Sequence, residues 1–96
     1  MCRVFAGQPP ENYESETRSI RLHGHSTSIR LERAFWAALE EIARHDDMSL
    51  RGFIAKLHDE VLEHHGEVRN FASLLRCACL LHRERVAGPA LDLALR

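Results

Sequence analysis

Between Arg18 and Leu31 apolar and polar residues alternate in two copies of one pattern. Arg18-Ser19-Ile20-Arg21-Leu22 is echoed nine residues later by Thr27-Ser28-Ile29-Arg30-Leu31. A period of two is that of a half-buried strand. The intervening His23-Gly24-His25-Ser26 predicts a hairpin through Gly24-His25, because a type II′ turn wants glycine first. In that register Ile20 faces Ile29 and Leu22 faces Thr27 on the apolar side. Ser19, Arg21, His23, Ser26, Ser28 and Arg30 share the polar side.

After Arg33 the period lengthens to that of helices. Phe35, Leu39, Ile42 and Ala43, with Ala38 beside them, predict a helix from Arg33 to His45, and Trp36 falls off this stripe. Asp46-Asp47 end it. Ser49 is the natural cap of a second helix, Leu50 to His64, whose apolar side is Leu50, Phe53, Ile54, Leu57 and Val61. Gly66 stops that helix. Asn70 caps a third, Phe71 to Arg85, with Phe71, Leu74, Leu75, Ala78 and Leu81 apolar. Gly88-Pro89 break it, and residues 90–96 read as a frayed final turn.

The fold class is therefore mainly α with a short β-hairpin or ribbon. The 96 residues suit one domain. It divides into an irregular arm over 1–16, broken by Gly7, Pro9 and Pro10, a ribbon and helix pair over 17–65, and a C-terminal helix and tail over 66–96. An apolar content of 45% and a charged content of 28% are globular values and exclude a disordered or low-complexity chain. No apolar run reaches the ~20 residues of a bilayer span, and the first residues lack a signal-peptide core, so the expected address is cytoplasmic with no membrane partner.

Net charge is −1, but the layout is uneven. Residues 17–33 carry Arg18, Arg21, Arg30 and Arg33 against Glu32, a local +3. Residues 40–63 are acidic, with a local −4. The basic end is the ribbon. The His23/His25 turn would add charge to that face as pH falls.

The enzyme classes find no support. There is no Gly-rich phosphate loop, no H-E-x-x-H and no nucleophile elbow. Carboxylate pairs such as Glu40-Glu41 read as solvated helix surface. Three cysteines, Cys2, Cys77 and Cys79, are too few and odd in number for a disulfide framework. Seven histidines raise the question of a metal. Structural zinc needs four converging ligands, and Cys77 and Cys79, two apart on a helix, point away from each other. Neither a metal nor a cofactor is expected.

Thr27-Ser28-Ile29-Arg30-Leu31-Glu32 leading directly into a helix, with Met48-Ser49-Leu50 opening the next, resembles the ribbon-helix-helix DNA-binding proteins of the Arc and MetJ repressor class. The resemblance covers roughly residues 26–63. The flanks are similar to a bacterial ribbon-helix-helix subfamily with an extra upstream strand and a third helix at Asn70-Phe71-Ala72-Ser73-Leu74-Leu75-Arg76. It implies a homodimer with an additional C-terminal helix, in which strands from two chains form a ribbon that enters the major groove of double-stranded DNA. By position it implies base contacts from Ser26, Ser28 and Arg30. Phosphate contacts would come from Ser49, Leu50 and Arg51 at the opening of the second helix, and from Arg21. Ile29, Leu31, Phe35, Leu39, Phe53 and Ile54 would form the dimer core. Phe35, Leu39, Phe53 and Ile54 exceed what one helix pair covers, which also argues for an obligate dimer.

Two functions follow. One is a sequence-specific DNA-binding repressor or autoregulator, with an antitoxin role and a toxin partner as a variant. The other is a homodimeric protein-interaction module of the same fold without DNA contact, engaging a protein through residues 70–85. A four-stranded dimer sheet spans ~14 Å between outer strand axes. That exceeds a groove of ~12 Å and favours the second reading, whereas the basic ribbon favours the first.

Overall fold

The computed structural model describes residues 2–87. A short helix α1 (Cys2–Ala6) and a 3₁₀ turn (Pro10–Tyr13) lead into β1 (Ser15–Leu22) and β2 (His25–Glu32), followed by α2 (Arg33–His45), α3 (Leu50–His65) and α4 (Phe71–Ala87). The irregular arm expected over 1–16 is thus partly regular, and β1 begins inside it. The 3₁₀ turn starts at Pro10, whose fixed φ suits a first helical position. The expected helix break at Gly88-Pro89 and the turn over 90–96 lie outside the described residues.

β1 and β2 pair antiparallel, but two residues away from the expected register. Ile20 faces Thr27 and Leu22 faces His25, so the turn is His23-Gly24 and not Gly24-His25. Both turn residues have positive φ, +52° and +81°. That is the requirement of a type I′ turn, whose twist matches the flanking strands. A slip of two preserves the facing of the side chains within the strands, which is why the apolar and polar faces of the ladder come out as the alternation predicts. Added carbon at Gly24 would meet nothing within 4 Å, so the cost of substitution there lies in the backbone alone. Gly24→Val should lower stability by about 1–2 kcal/mol, the left-handed penalty of an L-residue, read as a shifted denaturant midpoint with an unchanged slope. An unshifted midpoint would mean that the turn is not held at positive φ.

The apolar face of the hairpin rests on the helices, with α3 against β1 and α4 against β2. Ile20, Leu22, Ile29 and Leu31 join Trp36, Leu39, Ile42, Ile54, Leu75 and Cys79 in one core. Trp36, off the expected stripe, is 1% exposed, and its indole Nε1 donates to the Glu16 carbonyl at 2.8 Å. Leu39, Ile54 and Leu75 are fully buried. The argument that one helix pair cannot cover Leu39 and Ile54 fails because α4 closes the core within the chain, while Phe35 and Phe53 stay half-buried. Further along α4 the apolar face ends: Leu81, expected inside, is 57% exposed beside Leu80.

Burial sets the chemistry of the cysteines. Cys79 packs in the core, its Sγ 3.7 Å from the Phe35 carbonyl, and desolvation pushes its thiol up to about 11. Cys2 and Cys77 are exposed. Because the thiolate is the nucleophile, iodoacetamide at neutral pH should label Cys2 and Cys77 in the native protein and Cys79 only after unfolding. Mass spectrometry finding all three labelled at one rate would contradict this packing.

Candidate nucleic-acid interface

Alternation along the two strands sends one set of side chains away from the core. Thr17, Ser19 and Arg21 of β1 and Ser26, Ser28 and Arg30 of β2 are all exposed. The register places Arg30 opposite Thr17, Ser28 opposite Ser19, and Ser26 opposite Arg21. The result is a flat polar strip with hydroxyls along its middle and a guanidinium toward each end. His23, expected on this strip, instead turns toward α3, its Nε2 2.5 Å from Asp59 Oδ1.

The four arginines of the ribbon segment separate into two kinds. Arg18 lies on the helix-facing side, stacked 4.8 Å from the Trp36 ring centre and hydrogen-bonded to Glu40 and Glu16 at 2.9 and 2.6 Å. Those bonds, to Glu40 first, raise its guanidinium further above its ordinary value. Arg33 lies near Glu14 and Glu16 at 3.8 and 3.5 Å. Glu32, at the end of β2, accepts from Arg76 Nε at 2.9 Å, and the guanidinium holds its carboxyl below the ordinary range. Arg21 and Arg30 form no ion pair among the described residues. The local +3 seen in the sequence therefore reduces to two free cations, both on the outward strip.

The ribbon has a free edge as well as a free face. The Arg33 N–H donates to the Glu14 carbonyl at 2.9 Å, which extends the hydrogen-bonded pairs of the ladder in phase with Glu16–Leu31 and Arg18–Ile29. By the alternation of antiparallel ladders, the N–H and C=O groups of Ser26, Ser28, Arg30 and Glu32 point the other way. Among the described residues the sheet has two strands, so that edge of β2 has no strand beside it.

At the start of α3, Ser49 Oγ accepts from the Gly52 N–H at 3.0 Å, the cap the sequence predicts. A Cβ at Gly52 would stand 2.9 Å from Ser49 Oγ, so a larger residue there would displace the capping hydroxyl. Ser49 and Arg51 are exposed and Leu50 is half-buried. α3 meets the ribbon turn at Asp59, so Ser49 lies ~15 Å back along the helix axis. Arg21 sits on the ribbon strip itself, and Ser49, Leu50 and Arg51 form a separate group. Ile29, Leu31, Leu39 and Ile54, assigned to a dimer core, are buried within the single chain.

Three features had no signal in the sequence. Trp36 reaches the Glu16 carbonyl across 20 residues, α4 ties to β2 through Arg76 and Glu32 across 44, and His23 finds Asp59 on α3. Each depends on how separated elements dock, and local spacing carries no trace of docking.

A family model described as the ribbon-helix-helix domain matches residues 15–83. Among solved structures the chain is similar to an uncharacterized protein from Bordetella pertussis Tohama I, at 44% identity and a TM-score of 0.84. The match covers 86% of this chain and 66% of that one, so this chain spans slightly less than two thirds of that protein's length. No curated protein matches.

Proposed function

The chain belongs to the ribbon-helix-helix domain family, and from that premise we propose that it is a sequence-specific double-stranded DNA-binding protein, acting in the cytoplasm as a transcriptional repressor or autoregulator. The observation that carries the reading is the outward strip of the hairpin, with Arg21 and Arg30 unpaired and Ser26 and Ser28 between them in reach of a ligand. Arginine gives bidentate contacts to guanine in the major groove, and serine gives single hydrogen bonds.

The proposed assembly is a homodimer in which β2 pairs with β2 of a second chain along its open edge. A two-fold axis perpendicular to the sheet keeps both outward strips on one side, so the central strands present Ser26, Ser28 and Arg30 from each chain. The flanking β1 strands ride over the phosphates, which assigns Arg21 to the backbone. Ser49, Leu50 and Arg51 add a helix N-terminus for a further phosphate. Since each chain covers its own core, this dimer rests on strand pairing and half-buried side chains such as Phe35 and Phe53.

A mobility-shift assay with bulk genomic fragments at two salt concentrations tests the reading. Binding at low salt that weakens steeply as salt rises is expected. Absence of binding at low salt would overturn it in favour of a protein-interaction module, which the ~14 Å width of a four-stranded sheet supports. Sedimentation at micromolar concentration tests the assembly, and a monomer there would remove the β2 pairing.

A further inference from the structure

The hairpin turn and α3 bring together side chains that the outward strip does not use. His23, at the first position of the turn, is held at φ +52° and directs its imidazole to α3, where Nε2 meets Asp59 Oδ1 at 2.5 Å. His58, the preceding residue on α3, has its ring 5.8 Å from that of His23 and edge-on to Phe71 of α4 at 5.2 Å. One ligand atom from each of His23, His58 and Asp59 lies within 4.8 Å of the other two, the one such group of three or more found among the described residues. His58 Nδ1 is also buried without a hydrogen-bond partner. It is one of two such orphan nitrogens found among the described residues, the other being His82 Nε2, and it belongs to the side chain that completes the donor set.

We propose that His23, His58 and Asp59 bind a divalent transition-metal ion of the zinc class, which fastens the ribbon turn to α3. Imidazole nitrogen and carboxylate oxygen are donors suited to such ions. With bonds of ~2.1 Å, two donors on a tetrahedral ion stand ~3.4 Å apart. The His23–Asp59 contact must open by roughly 1 Å, and a separation at the 4.8 Å limit must close by roughly 1.4 Å. Both are side-chain rotations open to His23 and Asp59, whose side chains are 58% and 52% exposed. Three protein donors leave one position for water or a further ligand. The donors come from positions 35 residues apart, so the ion cross-links two elements instead of decorating one helix. Two positive charges against one carboxylate also raise the potential at the end of the ribbon that carries Arg21.

The test is a titration of chelator-stripped protein with Zn²⁺ against a chromophoric competitor, and with Co²⁺ followed by its visible absorption. Cys2→Ser and Cys77→Ser in the background remove the exposed thiols. His23→Asn is the informative variant, because Asn-Gly is a preferred type I′ turn and the hairpin should survive. Asp59→Asn is the second, at an exposed position. The background protein should bind one equivalent, gain tetrahedral Co²⁺ bands and unfold at higher temperature with Zn²⁺. Each variant should keep the unfolding temperature of the metal-free protein and bind ~10-fold or more weakly, since losing even an outer partner of a ligand costs that much. Equal affinity in the background protein and either variant, or a Co²⁺ spectrum unchanged from the hydrated ion, would overturn the proposal. These readouts involve no DNA and stand or fall apart from the reading of the outward strip.

Discussion

Trp36→Ala is expected to destabilise the protein by about 3–5 kcal/mol, the range for truncating a large buried aromatic side chain. The indole is 1% exposed and lies where β1 meets α2. Its removal leaves a cavity beneath the hairpin, deprives the Glu16 carbonyl of a donor at 2.8 Å and takes away the surface on which Arg18 stacks at 4.8 Å. A domain of this size has a stability of about 5–15 kcal/mol in all, so the variant stands near the edge of folding. Trp36→Phe separates the contributions, because it keeps most of the volume and loses the hydrogen bond, worth about 1 kcal/mol. Denaturant midpoints with the slope held fixed measure both. A loss below about 1 kcal/mol for the alanine variant, less than a typical core truncation, would mean that the indole is not packed as described.

Arg30→Ala should leave the fold unchanged and weaken specific DNA binding by about 1–3 kcal/mol. The side chain is exposed on β2, opposite Thr17, and makes no ion pair among the described residues, so its truncation removes little native contact. Its guanidinium is the one group among Ser26, Ser28 and Arg30 able to give two charge-assisted bonds to guanine O6 and N7. Base preference should relax at one position in each half-site. Arg21→Ala should act differently, weakening binding on all sequences and lowering the salt slope by about one unit per lost phosphate contact. Thermal midpoints and competition binding against scrambled sites make the comparison. If Arg30→Ala binds its best site as tightly as the parent, the outward strip is not the reading surface.

Much of this was legible in the sequence because it is local. Two five-residue copies of a period-two pattern placed the strands and decided which residues face out, and that facing survived a register error because the pleat repeats every two residues. The helix from about Arg33 to His45 was readable, since the period changes at Arg33 and Asp46-Asp47 stop it. Ser49 and Gly66 marked the ends of α3 for the same kind of reason, as a side-chain cap and a left-handed stop. The candidate base contacts Ser26, Ser28 and Arg30 followed from alternation together with the family resemblance.

What the sequence left open required the docking of distant elements. Alternation admits either turn, since both are two-residue turns whose twist suits the strands, and only the observed pairing of Leu22 with His25 identifies His23-Gly24 as the one used. The stripe on α2 assigned Trp36 to the flank, but β1 lies over that flank and makes it core. A hydrophobic count suggested that Leu39 and Ile54 need a second chain, because counting cannot show that α4 folds back through Leu75 and the Arg76–Glu32 pair to cover them. Charge summation gave the ribbon segment +3, and only the three-dimensional arrangement shows Arg18 and Arg33 beside carboxylates while Arg21 and Arg30 stand free. His23, His58 and Asp59 share no motif and no period. The sequence determined which side chains each element offers on each face. The tertiary structure decided which faces meet, because that depends on the summed packing and electrostatics of elements tens of residues apart.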